Sequence, residues 1–158
     1  MNPPVLDPCC GSRMMWFDKS DDRAIFGDIR DEQVRIDDGR VLSVHPDMVM
    51  DFRHLPFEDE SFYHVVFDPP HLTNLGARST MAAKYGVLGR TWRDDLKAGF
   101  SECFRVVKPC GTLVFKWNEY AIPVRDVLAL TPHRPLYGTR SGKQARTLWL
   151  VFIKDANE

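Results

Sequence analysis

The chain has 158 residues, 44% hydrophobic and 27% charged, which is the size and make-up of one soluble domain able to bury a core without staples. A net charge of -1 argues against tight binding to nucleic acid through overall charge. No apolar run reaches the length of a membrane span, and no basic segment followed by an apolar one opens the chain. The expectation is a cytoplasmic protein, residues 1–158 forming a single domain with no membrane contact.

In chain order, "PVLD" (residues 4–7) is a short apolar run ending in an acid, hence a first strand. A Gly-containing turn follows, and "SRMMWFDK" has apolar residues at helical spacing with Ser12 placed to cap it, which predicts a helix. "RAIFGD" (23–28) reads as a second strand. "VRIDDGRVLSV" (34–44) carries Asp38-Gly39 between alternating residues, a hairpin signal. "DMVMDF" (47–52) predicts a third strand of the main sheet, and "FYHVVFDPP" (62–70) a buried strand stopped by two prolines.

Residues 71–89 are rich in small and polar types and predict a long lid-like loop with a helical turn near Met81–Tyr85. Trp92, Leu96, Phe100, Phe104 and Val107 recur at helical spacing, predicting an amphipathic helix over 91–107 with Thr91 and Asp94 as a capping box. "KPCG" then reads as a turn, "TLVFKW" (112–117) as a buried strand, and "VRDVLAL" (124–130) as a short helix behind Pro123. "RPLYGT" and "ARTLWLVFIK" close the chain as two consecutive strands that should pair antiparallel. Strands alternating with helices imply a mostly parallel α/β sheet, Rossmann-like, with helices on its faces and an antiparallel C-terminal hairpin.

In such a sheet, ligands bind at the carboxyl ends of the strands. Four of these ends carry an acid: Asp7, Asp28, Asp51 and Asp68. The first loop has Gly11 alone and so lacks the G-x-G-x-x-G pattern that would cradle a pyrophosphate. S-adenosylmethionine needs no phosphate cradle and fits a different division of labour. Asp7 would meet its amino group, loop amides at the start of a helix its carboxylate, Asp28 its ribose and Asp51 its adenine amine. The cysteines, Cys9, Cys10, Cys103 and Cys110, do not have zinc-ligand spacing. Cys9 and Cys10 read as small residues of a compact loop, with no metal expected.

"VLDPCCGS" resembles the "DPFCGSG" cofactor loop of the S-adenosylmethionine-dependent amino-methyltransferases, and "VVFDPPH" resembles their catalytic tetrapeptide, Asp/Asn/Ser-Pro-Pro followed by Tyr, Phe or Trp. "DFRHLPFEDESFYHVVFDPP" and "ECFRVVKPCGTLVFKW" resemble the wider class I methyltransferases. The resemblance covers nearly the whole chain and is to a small, phage-type class I enzyme. It implies cofactor contacts from Asp7, Pro8, Cys9, Cys10, Gly11, Ser12, Asp28, Asp51 and Phe52. It places Asp68, Pro69, Pro70 and His71 at the acceptor amine, N6 of adenine in DNA foremost. Lys84, Tyr85, Lys116 and Trp117 are expected to line the acceptor side.

Basic residues flank the lid (Arg78, Lys84, Arg90, Arg93) and the C-terminal hairpin (Arg134, Arg140, Lys143, Arg146), with Tyr85 and Trp92 among them, a pattern compatible with a nucleic-acid groove or with a solvated surface. The chain departs from the family at His71, where an aromatic is usual, and at Arg13, where glycine is frequent. A helix before the first strand is missing, and a hairpin stands where a helix usually follows the second. A separate recognition domain is not expected within these 158 residues, so sequence reading would fall to residues 71–89, to a second copy or to a specificity subunit. The alternatives are a small-molecule or protein-amide methyltransferase, or a non-catalytic cofactor-binding subunit.

Overall fold

The computed structural model describes residues 3–36, 39–73 and 80–157. In order these form β1 (Val5–Asp7), β2 (Ala24–Asp28), β3 (Glu32–Arg35), β4 (Val41–Val44), β5 (Met48–Val49), β6 (Phe62–Phe67), α1 (Thr80–Tyr85), α2 (Trp92–Val106), β7 (Val107–Asn118), α3 (Val124–Leu128), β8 (Tyr137–Ser141) and β9 (Thr147–Ile153). A seven-stranded sheet runs β5-β2-β1-β6-β7-β9-β8, and β3–β4 make a separate two-stranded hairpin. All pairs from β5 to β7 are parallel, while β9 is antiparallel to both its neighbours. The chain steps outward from β1 to β2 and β5, then returns to lay β6 on the other side of β1. A crevice is therefore expected at the carboxyl ends of β1 and β6.

The core follows from strand alternation. In β7, Leu113, Phe115 and Trp117 are fully buried while Thr112, Val114, Lys116 and Asn118 are half-buried on the other face. β9 repeats this with Leu148, Leu150 and Phe152 inward. Helix α2 lays Leu96, Phe100, Cys103 and Phe104 on that inner face, each large side chain worth about 1.5–3 kcal/mol when buried. Gly99 lets the helix come close: a Cβ there would lie 2.7 Å from both Phe52 and Phe67. α3 packs Val127 on the same face.

Several expectations are corrected. No helix follows β1: residues 8–23 are a chain of turns, because Gly11 and Arg13 take left-handed φ values of 52° and 56°. Arg13 tolerates this because its guanidinium is held by the carbonyls of Lys19 (2.5 Å) and His45 (2.9 Å), by Asp47 (2.8 Å) and by the Phe26 ring (4.0 Å). The expected third strand shrinks to Met48–Val49, with Asp51 bridged to His54. "KPCG" is not a turn but lies within β7, at an irregularity where Cys110 has φ 62° and the register to β6 shifts. Thr91 makes no capping box; its hydroxyl donates to Asp95 instead.

The helices do not flank both faces. α2 and α3 share one, and on the other the 8–23 loop covers β1 and β2 through Cys10 and Trp16 packed on Ala24 and Phe26. Over β7 and β9 that second face is half-open, at Val114 and Val151, and open at Ile153. The β3–β4 hairpin is found as expected, with Asp38 of its turn outside the described residues.

Candidate active site

A cavity of about 460 Å³ opens at the carboxyl ends of β1, β2, β6 and β7. Its floor is the loop from Pro8 to Ser12. Two hydrogen bonds set that loop: Cys10 N–H donates to the Gly27 carbonyl at 2.8 Å and Gly11 N–H to Asp28 Oδ2 at 2.9 Å. Gly11 suits this turn through its left-handed φ of 52°, and the Lys84 carbonyl of the lid lies 3.5 Å from where its Cβ would be, an ordinary contact. Cys9 and Cys10 line the cavity as thiols, because burial pushes Cys10 up to about 12 and Cys9 well above its ordinary value. The same burial and the nearby carboxylates make them poor nucleophiles.

The acids divide into two kinds. Asp28 and Asp51 line the cavity, each gripped by the arginine two residues on. Arg30 donates its N–H and Nε to Asp28 Oδ1, both at 3.0 Å. Arg53 donates its N–H and Nε to Asp51 Oδ1, both at 2.9 Å, and reaches Asp95 at 3.0 Å. The Arg53 guanidinium holds Asp51 below the usual carboxylate range. Asp7, by contrast, is fully buried and does not line the cavity. It accepts from Trp16 Nε1 at 2.8 Å and from Cys9 N–H at 3.2 Å, so it organises the loop from behind. This corrects the expectation that its carboxylate reaches a ligand's amino group. Burial raises Asp7 to about 7, and the negative charges of Asp68 and Asp28 add to the rise.

Asp68 stands where β6 ends, in the cavity wall with Pro69 and Pro70. Lys116, on the neighbouring β7, donates to its Oδ2 at 2.7 Å. Burial raises the Asp68 carboxyl, and the Lys116 ammonium opposes that rise. Gly86 of the lid, φ 72°, lies against Pro70, 3.1 Å from where its Cβ would be, and closes the cavity's top with Val87, Leu88 and Gly89.

His71 faces a second hollow, beside Asn118 and Tyr120, rather than the cavity itself. Its ring meets Trp117 edge-on at 6.2 Å. Burial, aided by Lys116, lowers it to about 4, so it is a neutral ring and a weak base near pH 7.

Of the expected site residues, Pro8, Cys9, Cys10, Gly11, Ser12, Asp28, Asp51, Phe52, Asp68, Pro69, Pro70, Lys84 and Lys116 all line this one cavity. Trp117 does not: it is fully buried in the core with its indole N–H on the Ile122 carbonyl at 3.0 Å, which corrects its place on the acceptor side. The side chain of Tyr85 lies outside the described residues. Arg30, Arg53 and Asp95 also line the cavity and are not among the expected residues. A signal for the arginines is present as a repeat, "DIR" at 28–30 and "DFR" at 51–53, each an acid followed two residues later by its own partner.

No family model and no curated protein matches the sequence. Solved structures do match in shape. A Pyrococcus horikoshii protein superposes with a TM-score of 0.60 at 17% identity, over 96% of this chain and 81% of its own. A TehB-like S-adenosylmethionine-dependent methyltransferase from Corynebacterium glutamicum gives 0.60 at 15% identity, over 98% and 81%. The 1,6-didemethyltoxoflavin-N1-methyltransferase of Burkholderia thailandensis, with bound 1,6-didemethyltoxoflavin and S-adenosylhomocysteine, gives 0.55 at 12%, over 96% and 70%. The sheet order, the antiparallel closing hairpin and these superpositions together show that the chain has the Rossmann-like fold of the S-adenosylmethionine-dependent methyltransferases.

Proposed function

We propose that the protein is an S-adenosylmethionine-dependent methyltransferase whose acceptor is the exocyclic amine of a nucleic-acid base, N6 of adenine in DNA before others. The observation that carries this is the position of Asp68 and Pro69 in the wall of the main cavity, with one carboxylate oxygen, Oδ2, already taken by Lys116. The cavity suits the cofactor's chemistry. It is of ordinary ligand size, and its carboxylates, Asp28, Asp51, Asp68 and Asp95, are held by Arg30, Arg53 and Lys116 as oriented hydrogen-bond acceptors for hydroxyl and amine donors. Asp28 would take the ribose hydroxyls, Asp51 and Phe52 the adenine, and the backbone of Cys9 to Ser12 the amino-acid end. When bound, the cofactor supplies a methyl group on a positively charged sulfur.

The amine of a base is conjugated with its ring and attacks poorly. Asp68 Oδ1 and the Pro69 carbonyl are two acceptors for its N–H groups. Accepting from both would localise the nitrogen lone pair and aim it across the cavity. Catalysis is then positioning plus electrostatics, with no covalent enzyme intermediate. Asp68, raised by burial, is also placed to take the proton that the nitrogen sheds after transfer. His71 is too weakly basic for that task.

A small flat heteroaromatic acceptor is the second reading. It is favoured by the Burkholderia thailandensis neighbour, whose substrate is of that kind. Among the described residues no helix is long and apolar enough to cross a membrane. The deciding experiment is methyl transfer from labelled S-adenosylmethionine to unmethylated genomic DNA, digested to nucleosides, with Asp68→Ala beside the parent. N6-methyladenine made by the parent and lost in the variant is the expected result. No incorporation by a parent that binds cofactor overturns the DNA acceptor.

A further inference from the structure

The cavity pairs its carboxylates with Arg30, Arg53 and Lys116, whereas the surface beside it carries cations and aromatic rings. Two hollows of about 440 and 450 Å³ adjoin it. The first is lined by His71, Asn118, Tyr120, Lys143 and Arg146, and no carboxylate is among its lining residues. The second is lined by Thr73, Arg90, Trp92 and Arg93, and its carboxylate, Asp126, has Arg125 at 3.5 Å. They share a border: Leu72 and Tyr120 belong to the first, Thr73 and Ala121 to the second. The second meets the cavity directly, and the first lies along the same strand face. Gly89 lines the cavity and the second hollow, while Lys116 in the cavity and Asn118 in the first hollow lie on the same face of β7.

Each hollow presents an aromatic ring with an arginine on it: Arg146 over Tyr120 at 5.4 Å, and Arg93 over Trp92 at 4.2 Å. Tyr120 is 71% exposed although it follows a buried strand end, so its ring is available to a ligand. An aromatic face beside a guanidinium offers stacking to a base and charge to its phosphate. Arg140 is tied to Glu119 and Lys84 belongs to the cavity, so neither is part of this surface. Arg134 lines neither hollow, and Arg78 lies outside the described residues.

We infer that these two hollows form one track for a single-stranded nucleic-acid segment, which crosses from Tyr120–Arg146 to Trp92–Arg93 and turns its target base between them toward Asp68. This rests on the nucleic-acid reading of the function and adds where the strand lies and in what state. Stacking platforms require unstacked bases, so the strand is single, or opened locally at the target.

The test uses fluorescein-labelled single strands of about a dozen nucleotides, in DNA and RNA form, a length suited to stacking grooves. Strand affinity is followed by anisotropy across a salt series, and S-adenosylhomocysteine affinity by calorimetry. Tyr120→Ala is expected to weaken strand binding by at least about fivefold, the lower bound for loss of one stacked base. Arg93→Ala and Arg146→Ala should each weaken it and flatten the salt slope by about 0.7, one phosphate's worth. Cofactor affinity should be unchanged, as should strand binding in Lys19→Ala, an exposed lysine lining neither hollow. A parent that methylates DNA, with all three variants binding strand as it does, overturns the track and leaves the proposed function standing. A parent that methylates DNA but binds neither strand likewise overturns the track alone, whereas a parent that does not methylate DNA overturns the proposed function. The DNA and RNA arms tell which sugar the track accepts.

Discussion

Asp7 and Asp68 end adjacent parallel strands, and burial raises both carboxyls, yet their surroundings give them different work. Asp7 has neutral donors, Trp16 Nε1 and an amide, and no cation, so it rises to about 7. An ordinary carboxyl unfolded and a raised one folded means that the native state holds the proton longer. Asp7 therefore favours the fold at low pH, and that advantage is lost as pH rises from about 4 through about 7. Asp7→Asn keeps the acceptor for Trp16 but does not titrate. The difference in melting temperature, variant minus parent, should climb between those pH values and then level off; a flat difference would show that Asp7 is not raised. Asp68 has Lys116 at 2.7 Å, which works against burial and favours the ionised form that can accept from an amine. Replacing Lys116 by Met removes that opposition, so the acid limb of the rate profile should move up by about 1–3 pH units, with Arg restoring part of it. An unmoved limb with a lower plateau would mean that Lys116 acts on the acceptor and not on Asp68.

At the level of elements, α2 and β7 hold the site rigid, and a lysine from the far end of the chain ties them together. Lys154, just past β9, is 7% exposed, and its Nζ donates to the carbonyls of Phe104 and Val107 at 2.9 Å each. Those oxygens lie at the end of α2 and the start of β7, where the helix has run out of its own donors. Lys154→Met keeps the stem and removes the donor, leaving two buried carbonyls short of a partner. A loss of about 1–3 kcal/mol is expected, read as a lower urea midpoint at unchanged slope. No change would place water at those oxygens. Nothing in the sequence marks this lysine, because "FIK" at a strand end reads as an exposed charge, and its target lies some fifty residues away. The α2 stripe was legible for the opposite reason: a pattern of Leu96, Phe100 and Phe104 is local. The helix expected from "SRMMWFDK" failed because Trp16 was counted as one face of a helix, whereas it bends back to Asp7 through its indole nitrogen.

Across the whole molecule, the strand sequence and the four acid-ended strands were legible because each strand is a local pattern. Most of the cavity followed from them, since parallel strands bring their carboxyl ends to one side. What covers the sheet was not legible: one face has α2 and α3, and the other has turns over β1 and β2 and an open stretch over β7 and β9. The missed wall residues, Arg53 and Asp95, meet across 42 positions of sequence. The same architecture makes the lid the segment most dependent on ligand. Lys84 and residues 86–89 reach the cavity, and among the described side chains of α1 Ala82 is the buried one, so beyond Leu88 in the core their order draws on contacts at the cavity mouth: Pro70 against Gly86, and Leu88 N–H on the Leu72 carbonyl at 2.8 Å. A ligand filling the cavity adds contacts to that segment and to the Cys9–Ser12 loop together. Saturation with S-adenosylhomocysteine at about a hundred times its dissociation constant should stabilise the protein by about 2.7 kcal/mol. In hydrogen exchange the largest gains in protection should fall on residues 82–91 and 9–13, with β7 and β9 little changed. Stabilisation with protection confined to β7 and β9 would put the ligand on the open face of the sheet and not in the cavity.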